Sequence, residues 1–205
     1  MSPLRRYCPL VVTALDQIGI NTFTGAKVDP RSLRADQISV ADIAHSLSLQ
    51  CRFGGHCSTF YSVADHCLLV SSLCPPQHAL WGLLHDAAEA YLLDLPAPLK
   101  DSGHPLGLHY TLAEASVLET IADHFGLSLP LPRQVRDADR TALSTEWRDL
   151  MPNSPAPTGL PSPLPSPIRP LPPVTAEVRF LERYWQLIGT DRARKESARG
   201  SPDLG

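Results

Sequence analysis

Apolar residues recur at helical spacing in five stretches between residues 40 and 150. Val40, Ile43, Ala44 and Leu47 mark the first, with Ser39 placed to cap it. A second helix is predicted over 62–73, stopping before Pro75 and Pro76, which cannot continue it. The third runs over 77–92 with Leu80, Leu83, Leu84 and Ala87 as its buried stripe, and Pro96 and Pro98 end it. Leu112, Ala115, Leu118, Ile121, Ala122 and Phe125 define the fourth, and Gly126 stands where a C-cap glycine belongs. Val135, Ala138, Ala142, Leu143 and Trp147 define the fifth. No stretch sustains two-residue alternation, so the expected fold class is all-α, a helical bundle without a large sheet.

The pattern changes after Leu150. Ten of the residues 152–173 are proline, which favours an extended polyproline path and reads as a spacer, with a partner-binding proline motif as the alternative. A last helix follows, with Val174, Val178, Leu181, Trp185 and Ile188 along one face and Gly189 at its end. Tyr184 and Trp185 imply that it docks on the main body. The chain thus divides into an N-terminal extension (1–20), a core (21–150), a proline-rich linker (151–173), a docking helix (174–189) and a polar tail expected to be disordered (190–205).

Composition narrows the function. The formal net charge of −3 supplies no basic field for a nucleic acid polymer, which points to a small-molecule partner. No apolar run approaches the roughly 20 residues of a membrane helix. Arg5 and Arg6 precede a weakly apolar stretch that Asp16 and Gln17 interrupt, which does not read as a signal peptide. Five cysteines without framework spacing fit reduced thiols in a cytoplasm.

Three clusters carry candidate chemistry. The first is Cys51-Arg52-Phe53-Gly54-Gly55-His56 followed by Phe60-Tyr61-Ser62-Val63-Ala64-Asp65-His66. The second is Leu83-Leu84-His85-Asp86-Ala87-Ala88-Glu89-Ala90-Tyr91, running into Asp94-Leu95-Pro96-Ala97-Pro98-Leu99-Lys100. The third is Arg136-Asp137-Ala138-Asp139. His85, Asp86 and Glu89 are ionisable groups in an otherwise apolar helix, and buried charge is costly unless paired or metal-bound. Alone, they read as a satisfied core histidine with two exposed carboxylates. His85 and Asp86, together with His66 and Asp139, offer two nitrogens and two oxygens from three helices, a set suited to zinc, manganese, iron or cobalt.

The series His66, His85-Asp86, Asp139 resembles the H…HD…D signature of the HD superfamily of metal-dependent phosphohydrolases. Phe23-Thr24-Gly25, Asp42-Ile43-Ala44-His45-Ser46-Leu47-Ser48, the Cys51 and Phe60 phrases and residues 85–100 resemble its bacterial and phage branch of 5′-deoxynucleotidases and dATP triphosphohydrolases. The resemblance implies an HD-domain catalytic core over 21–150 that removes phosphate from a deoxynucleotide, either a monophosphate or a triphosphate. It implies that His66, His85, Asp86 and Asp139 hold one divalent ion (zinc, cobalt or manganese, with magnesium a further candidate). Glu89 would orient or deprotonate the attacking water, and Asp94 would assist catalysis or position the sugar. Arg52 and Lys100 would bind phosphate, Phe53 would stack on the base, and Pro98 would face the sugar and disfavour a 2′-hydroxyl. It also implies a homo-oligomer in a bacterial or phage-infected cytoplasm.

Other residues take blander readings. Asp139 is preferred to Asp137 as the ligand because the motif there ends Ala-Asp, and Asp137 is expected to be solvated or paired with Arg136. His56, after two glycines, reads as a ligand or substrate contact or, at least as well, as a structural hydrogen-bonding residue, and His78, His104, His109 and His124 read as surface or turn residues. His45, near the site in sequence, carries no assigned role. A zinc site of Cys51, Cys57 and His66 lacks the usual CxxC pair. Two rival functions stand beside the enzyme. One is a regulatory protein that binds nucleotide without turnover. The other is a scaffold built around the proline segment.

Overall fold

The computed structural model describes residues 19–100 and 105–199, with side chains through Thr190. Expectations for residues 1–18, His104 and residues 200–205 therefore lie outside the described residues. The fold is all-α, as the hydrophobic pattern requires. A two-residue hairpin, β1 (Ile20–Asn21) and β2 (Lys27–Val28), precedes α1 (Val40–Leu49), α2 (Val63–Leu73), α3 (Ala79–Leu84), α4 (Glu89–Leu92), α5 (Ala97–Lys100), α6 (Pro105–Phe125), α7 (Arg133–Leu150) and α8 (Pro173–Arg199). None of the described helices is long and apolar enough to cross a membrane.

Helix α2 is the shared wall of two apolar clusters. Val63, Ala64 and Cys67 meet Ile43, Leu47, Leu83, Leu84, Ile121 and Phe180 on one side. Val70 meets Trp81, Ala122, Val135, Ala138 and Ala142 on the other. Ser62 starts α2 by accepting the Asp65 backbone N–H at 3.0 Å. Ser39 flanks α1 as expected, but no side-chain cap forms; its carbonyl accepts the Ile43 N–H instead. Gly82 decides how closely α3 can approach α2. A Cβ there would lie 2.8 Å from Cys74 Sγ and 3.0 Å from the Ser71 Cα, so a side chain would push the two helices apart. Helix α6 ends in the expected glycine cap: Gly126 has φ +65°, its N–H bonds Asp123 O, and Leu127 N–H reaches back to Ala122 O at 2.8 Å.

Four expectations change. The helix predicted over 77–92 is not continuous, because residues 85–88 are wound as tight turns between α3 and α4. Ala87 and Glu89 donate to Leu84 and Asp86, three residues back rather than four. Helix α6 begins at Pro105, before the first apolar residue of its predicted stripe, since Leu106 and Leu108 are exposed and leave no buried pattern to read. Helix α8 does not stop at Gly189 but continues to Arg199, so residues 190–199 are helical rather than a disordered tail. An isolated glycine costs a helix only about 1 kcal/mol against alanine, and the alanine, arginine, lysine and glutamate beyond it favour continuation.

The fourth change concerns which face of α8 docks. Ala176, Phe180 and Tyr184 are buried, whereas Val174, Val178 and Trp185 are exposed. The helix carries two apolar stripes, and spacing alone does not rank them. Phe180 is fully buried in the apolar cluster with Ile43, Leu47, Val63 and Leu84, and two polar contacts hold this orientation. Arg183 Nε donates to Ser71 Oγ at 3.1 Å, and Glu177 Oε2 faces His45 Nδ1 at 3.1 Å.

The proline-rich segment is a strap rather than a free spacer. Three of its N–H groups find side chains on the body: Leu164 donates to Thr145 Oγ1 at 3.0 Å, Ile168 to Asp149 Oδ2 at 2.8 Å, and Leu171 to Asp65 Oδ2 at 2.8 Å. Its carbonyls accept in turn, Pro161 from Ser144 Oγ at 2.6 Å and Ser166 from Arg148 at 3.2 Å.

The two faces of α8 make a direct test. Phe180→Ala should cost about 3–5 kcal/mol, the usual loss for a buried aromatic. Trp185→Ala should stay within about 0.5 kcal/mol, as for an exposed site. Urea titration of both variants checks this, and a larger loss for Trp185→Ala would reverse the assignment of faces.

Candidate metal centre

Three elements bring the expected ligands together. His66 projects from α2 and is fully buried. His85 and Asp86 lie in the tightly wound stretch that follows α3. Asp139 lies on α7. His66 Nε2 is 3.2 Å from His85 Nε2, 3.2 Å from Asp139 Oδ1 and 3.5 Å from Asp86 Oδ2, and His85 Nε2 is 3.3 Å from Asp86 Oδ2. The donor atoms of His66, His85 and Asp139 all lie within 4.8 Å of one another. Cys67, buried beside His85, forms a second such group with His85 and Asp86, a neighbour that the spacing did not single out.

The other ring nitrogens fix the tautomers. His66 Nδ1 is 2.6 Å from Glu146 Oε1, and His85 Nδ1 is 2.9 Å from the Gly82 carbonyl oxygen. An ionised carboxylate and a carbonyl only accept, so each neutral ring carries its proton on Nδ1. Both Nε2 lone pairs then point into the same space as the two carboxylate oxygens. Such a group of donors repels itself unless a proton or a cation lies among them, and a divalent metal fits.

The electrostatics show the same demand for positive charge. Burial and Arg52 oppose a charged His66, but Glu146 and Asp139 outweigh them and raise its pKa. Burial likewise opposes a charged His85, and Asp86 overcomes it. Burial favours a neutral Asp86, yet His85, His66 and Arg52 hold its pKa far below the usual carboxylate range.

Glu146 is a candidate site residue that the sequence reading missed. It is fully buried on α7, accepts from His66 Nδ1, and holds Arg52 Nη2 at 3.1 Å. It follows Asp139 by seven residues, two helical turns, which places both on one face of α7. That periodicity was the available signal, masked by the polar Ser144-Thr145 before it.

The expected substrate contacts are placed less freely than the resemblance implies. Arg52 is tied to Glu146, with Nη1 3.7 Å from Asp86 and Nε buried without a partner. Phe53 sits in the left-handed region at φ +56°, with its ring edge-on to Trp147 at 5.7 Å. Lys100 Nζ is claimed by Glu114 at 2.7 Å and lies 3.4 Å from Glu89. Pro98 is exposed on α5. Asp94 is half-buried, with its N–H held by Gln50 Oε1 at 3.1 Å. Glu89 is buried with Oε2 unpartnered. Burial pushes its carboxyl up to about 8, reinforced by Asp86 and Asp94.

Residues given blander readings fall outside the cluster. Asp137 is exposed and pairs with Arg133 at 3.4 Å rather than with Arg136, whose guanidinium donates to the Leu131 carbonyl. His45 stacks on Phe23 at 3.8 Å, and His56 is exposed.

Comparison with known proteins supplies the relationship. The chain is 40% identical over 169 residues to the uncharacterized protein YfdR of Escherichia coli K12, covering 80% of this chain and 93% of YfdR. The chain belongs to the YfdR family. An uncharacterized protein of Rhodobacter capsulatus is 31% identical over 128 residues, covering 58% of this chain and 64% of that protein. No family model matches the chain.

The geometry makes this member of the YfdR family a candidate metalloprotein whose ligands depend on an outer carboxylate. Asp139→Ala should abolish metal retention after dialysis, whereas Asp137→Ala should leave it unchanged. Glu146→Gln removes the charge that holds Arg52 and polarises His66, and should weaken metal binding by about 10–100-fold. Metal content measured against competing chelator checks all three, and an unchanged Asp139→Ala protein would refute the ligand set.

Proposed function

We propose that this protein is a metal-dependent phosphohydrolase of the HD type, which removes 5′-phosphate from a deoxynucleotide. The observation that carries the reading is the convergence of His66 Nε2, His85 Nε2 and the Asp86 and Asp139 carboxylates beside a buried glutamate and two cations. His66, His85, Asp86 and Asp139 would hold the ion. A divalent zinc, cobalt, manganese or magnesium ion there supplies Lewis acidity toward the attacking water and neutralises phosphate charge.

The remaining chemistry falls to the chain's own groups. Glu89 has a buried oxygen with no partner, free to orient the water, and in its ionised form it would accept the water's proton. Arg52 offers its Nη1 edge to phosphate oxygens while Glu146 holds the other edge. Lys100 adds a second positive charge from α5, with Asp94 assisting catalysis or positioning the sugar and Pro98 facing it. Phe53, presented by a turn with left-handed backbone at Phe53 and Gly54, stacks on the base. We propose the same homo-oligomeric, cytoplasmic setting that the resemblance implies. The unpartnered Glu89 oxygen argues for turnover over nucleotide binding alone.

The test begins with protein stripped by chelator and reloaded with each ion. Phosphate release is then measured across ribo- and deoxynucleoside mono- and triphosphates. Release should require metal and favour a deoxynucleotide. Glu89→Gln should retain metal and lose about 10²–10⁴-fold in turnover. Metal-loaded protein that releases phosphate from none of these substrates would overturn the reading.

A further inference from the structure

Cys51 and Cys57 play no part in the donor cluster, yet their sulfurs lie 3.5 Å apart, in contact. Both residues are half-buried and both thiols are free. The backbone around them is closed independently of the thiols. Arg52 N–H donates to Tyr61 O at 2.9 Å, Ser58 N–H to Leu150 O at 2.8 Å, and Cys51 forms an antiparallel bridge with Ser62. Cys57 Sγ also donates to the Arg52 carbonyl oxygen at 3.7 Å. The two sulfurs therefore bracket the Arg52–Gly55 turn, whose Gly54 and Gly55 give the backbone room to adjust.

A disulfide bond measures about 2.05 Å, so closure requires the sulfurs to approach by about 1.5 Å, within reach of side-chain rotation. We propose that Cys51 and Cys57 form a thiol–disulfide modification site, which a low-molecular-weight disulfide such as oxidised glutathione converts to an intramolecular bond across the turn. One cysteine thiolate attacks a sulfur of the oxidant, expels a thiolate and forms a mixed disulfide. The neighbouring cysteine gives its proton to solvent, attacks the protein sulfur of that mixed disulfide and expels the second small thiol. The two cysteines lose two protons and two electrons, and the oxidant's sulfur–sulfur bond is reduced to two thiols. Because the turn carries Arg52 and Phe53, closure restricts the groups assigned to phosphate and base. That consequence, unlike the bond itself, rests on the proposed function.

Full-length protein is incubated with oxidised glutathione, denatured, blocked with a maleimide and cut with trypsin. Cleavage after Arg52 falls between the two cysteines, so their disulfide joins the peptide ending at Arg52 to the one beginning at Phe53. The expected product is this reducible cross-link, absent from Cys57→Ser, in which Cys51 stops at the mixed disulfide. A cross-link that persists in Cys57→Ser, or a wild-type Cys51 that stays free or keeps glutathione, overturns the site. Phosphate release by metal-loaded protein is measured in parallel. Oxidation should lower it, with dithiothreitol restoring it in wild type and no redox effect in the Cys51→Ser, Cys57→Ser double variant. A cross-link with unchanged release overturns the coupling to the substrate turn. A cross-link with no release in either redox state leaves the thiol site standing and removes the phosphohydrolase reading.

Discussion

Glu146 joins groups that the rest of the site depends on. Its carboxylate is fully buried and would be costly there without compensation. One oxygen meets His66 Nδ1 at 2.6 Å and the other meets Arg52 Nη2 at 3.1 Å. The bridge pins α7 to α2 and to the Arg52–Gly55 turn. It also determines where Asp139 points, because Asp139 lies two turns earlier on the same helix face. Removing one partner of such a buried pair typically costs about 3–5 kcal/mol, since the remaining charge is left uncompensated. The interaction that orients a candidate metal ligand is thus also one that holds the bundle together.

Helix α7 is gripped from outside as well. Ser144, Thr145, Arg148 and Asp149 alternate with the inward residues Ala142, Glu146 and Leu150, and each of the four bonds to the proline-rich strap. Prolines suit this role because they lack an N–H and pre-set an extended path, so ordering the strap loses less conformational freedom. The strap then returns to α2 through Leu171 and Asp65, one residue before His66. A stretch that looks like a spacer in composition is therefore part of the clamp that holds α7 against the ligand-bearing helices.

The legible parts of the sequence were those fixed by local periodicity. Four of the five core helices and the Gly126 cap follow from spacing, whereas the choice of Asp139 over Asp137 rests on the Ala-Asp ending of the motif. The structure brings together His66, His85, Asp86 and Asp139, the set that the resemblance implied. Features decided by tertiary competition were not legible. Phe180 and Trp185 stand on different apolar stripes of α8, and only packing against the apolar cluster selects Phe180. Glu146 resembles any helix-surface glutamate until α2 and the Arg52 turn close over it. Lys100 reads as a free cation, but its partner Glu114 comes from α6, across a stretch with no sequence pattern to announce the contact. The break after α3 was hidden because its residues remain helical in composition while their hydrogen bonds shift from four residues back to three.

Charge distribution around the cluster sets an order on binding. Arg52 lies between Glu146 and Asp86, and Lys100 lies between Glu89 and Glu114, so each cation already faces two carboxylates. An anionic phosphate approaching the site in this state meets Asp86 and Asp139 as repulsive neighbours. A divalent cation held by His66, His85, Asp86 and Asp139 would neutralise those two carboxylates and reduce the pull of Asp86 on Arg52. On the proposed function, metal and phosphate then bind with positive coupling, and reciprocity requires phosphate to tighten the metal by the same factor. Glu146 sharpens the dependence. On that same reading it would keep hold of Arg52 with the ion bound, leaving only the edge of the guanidinium that faces Asp86 for phosphate.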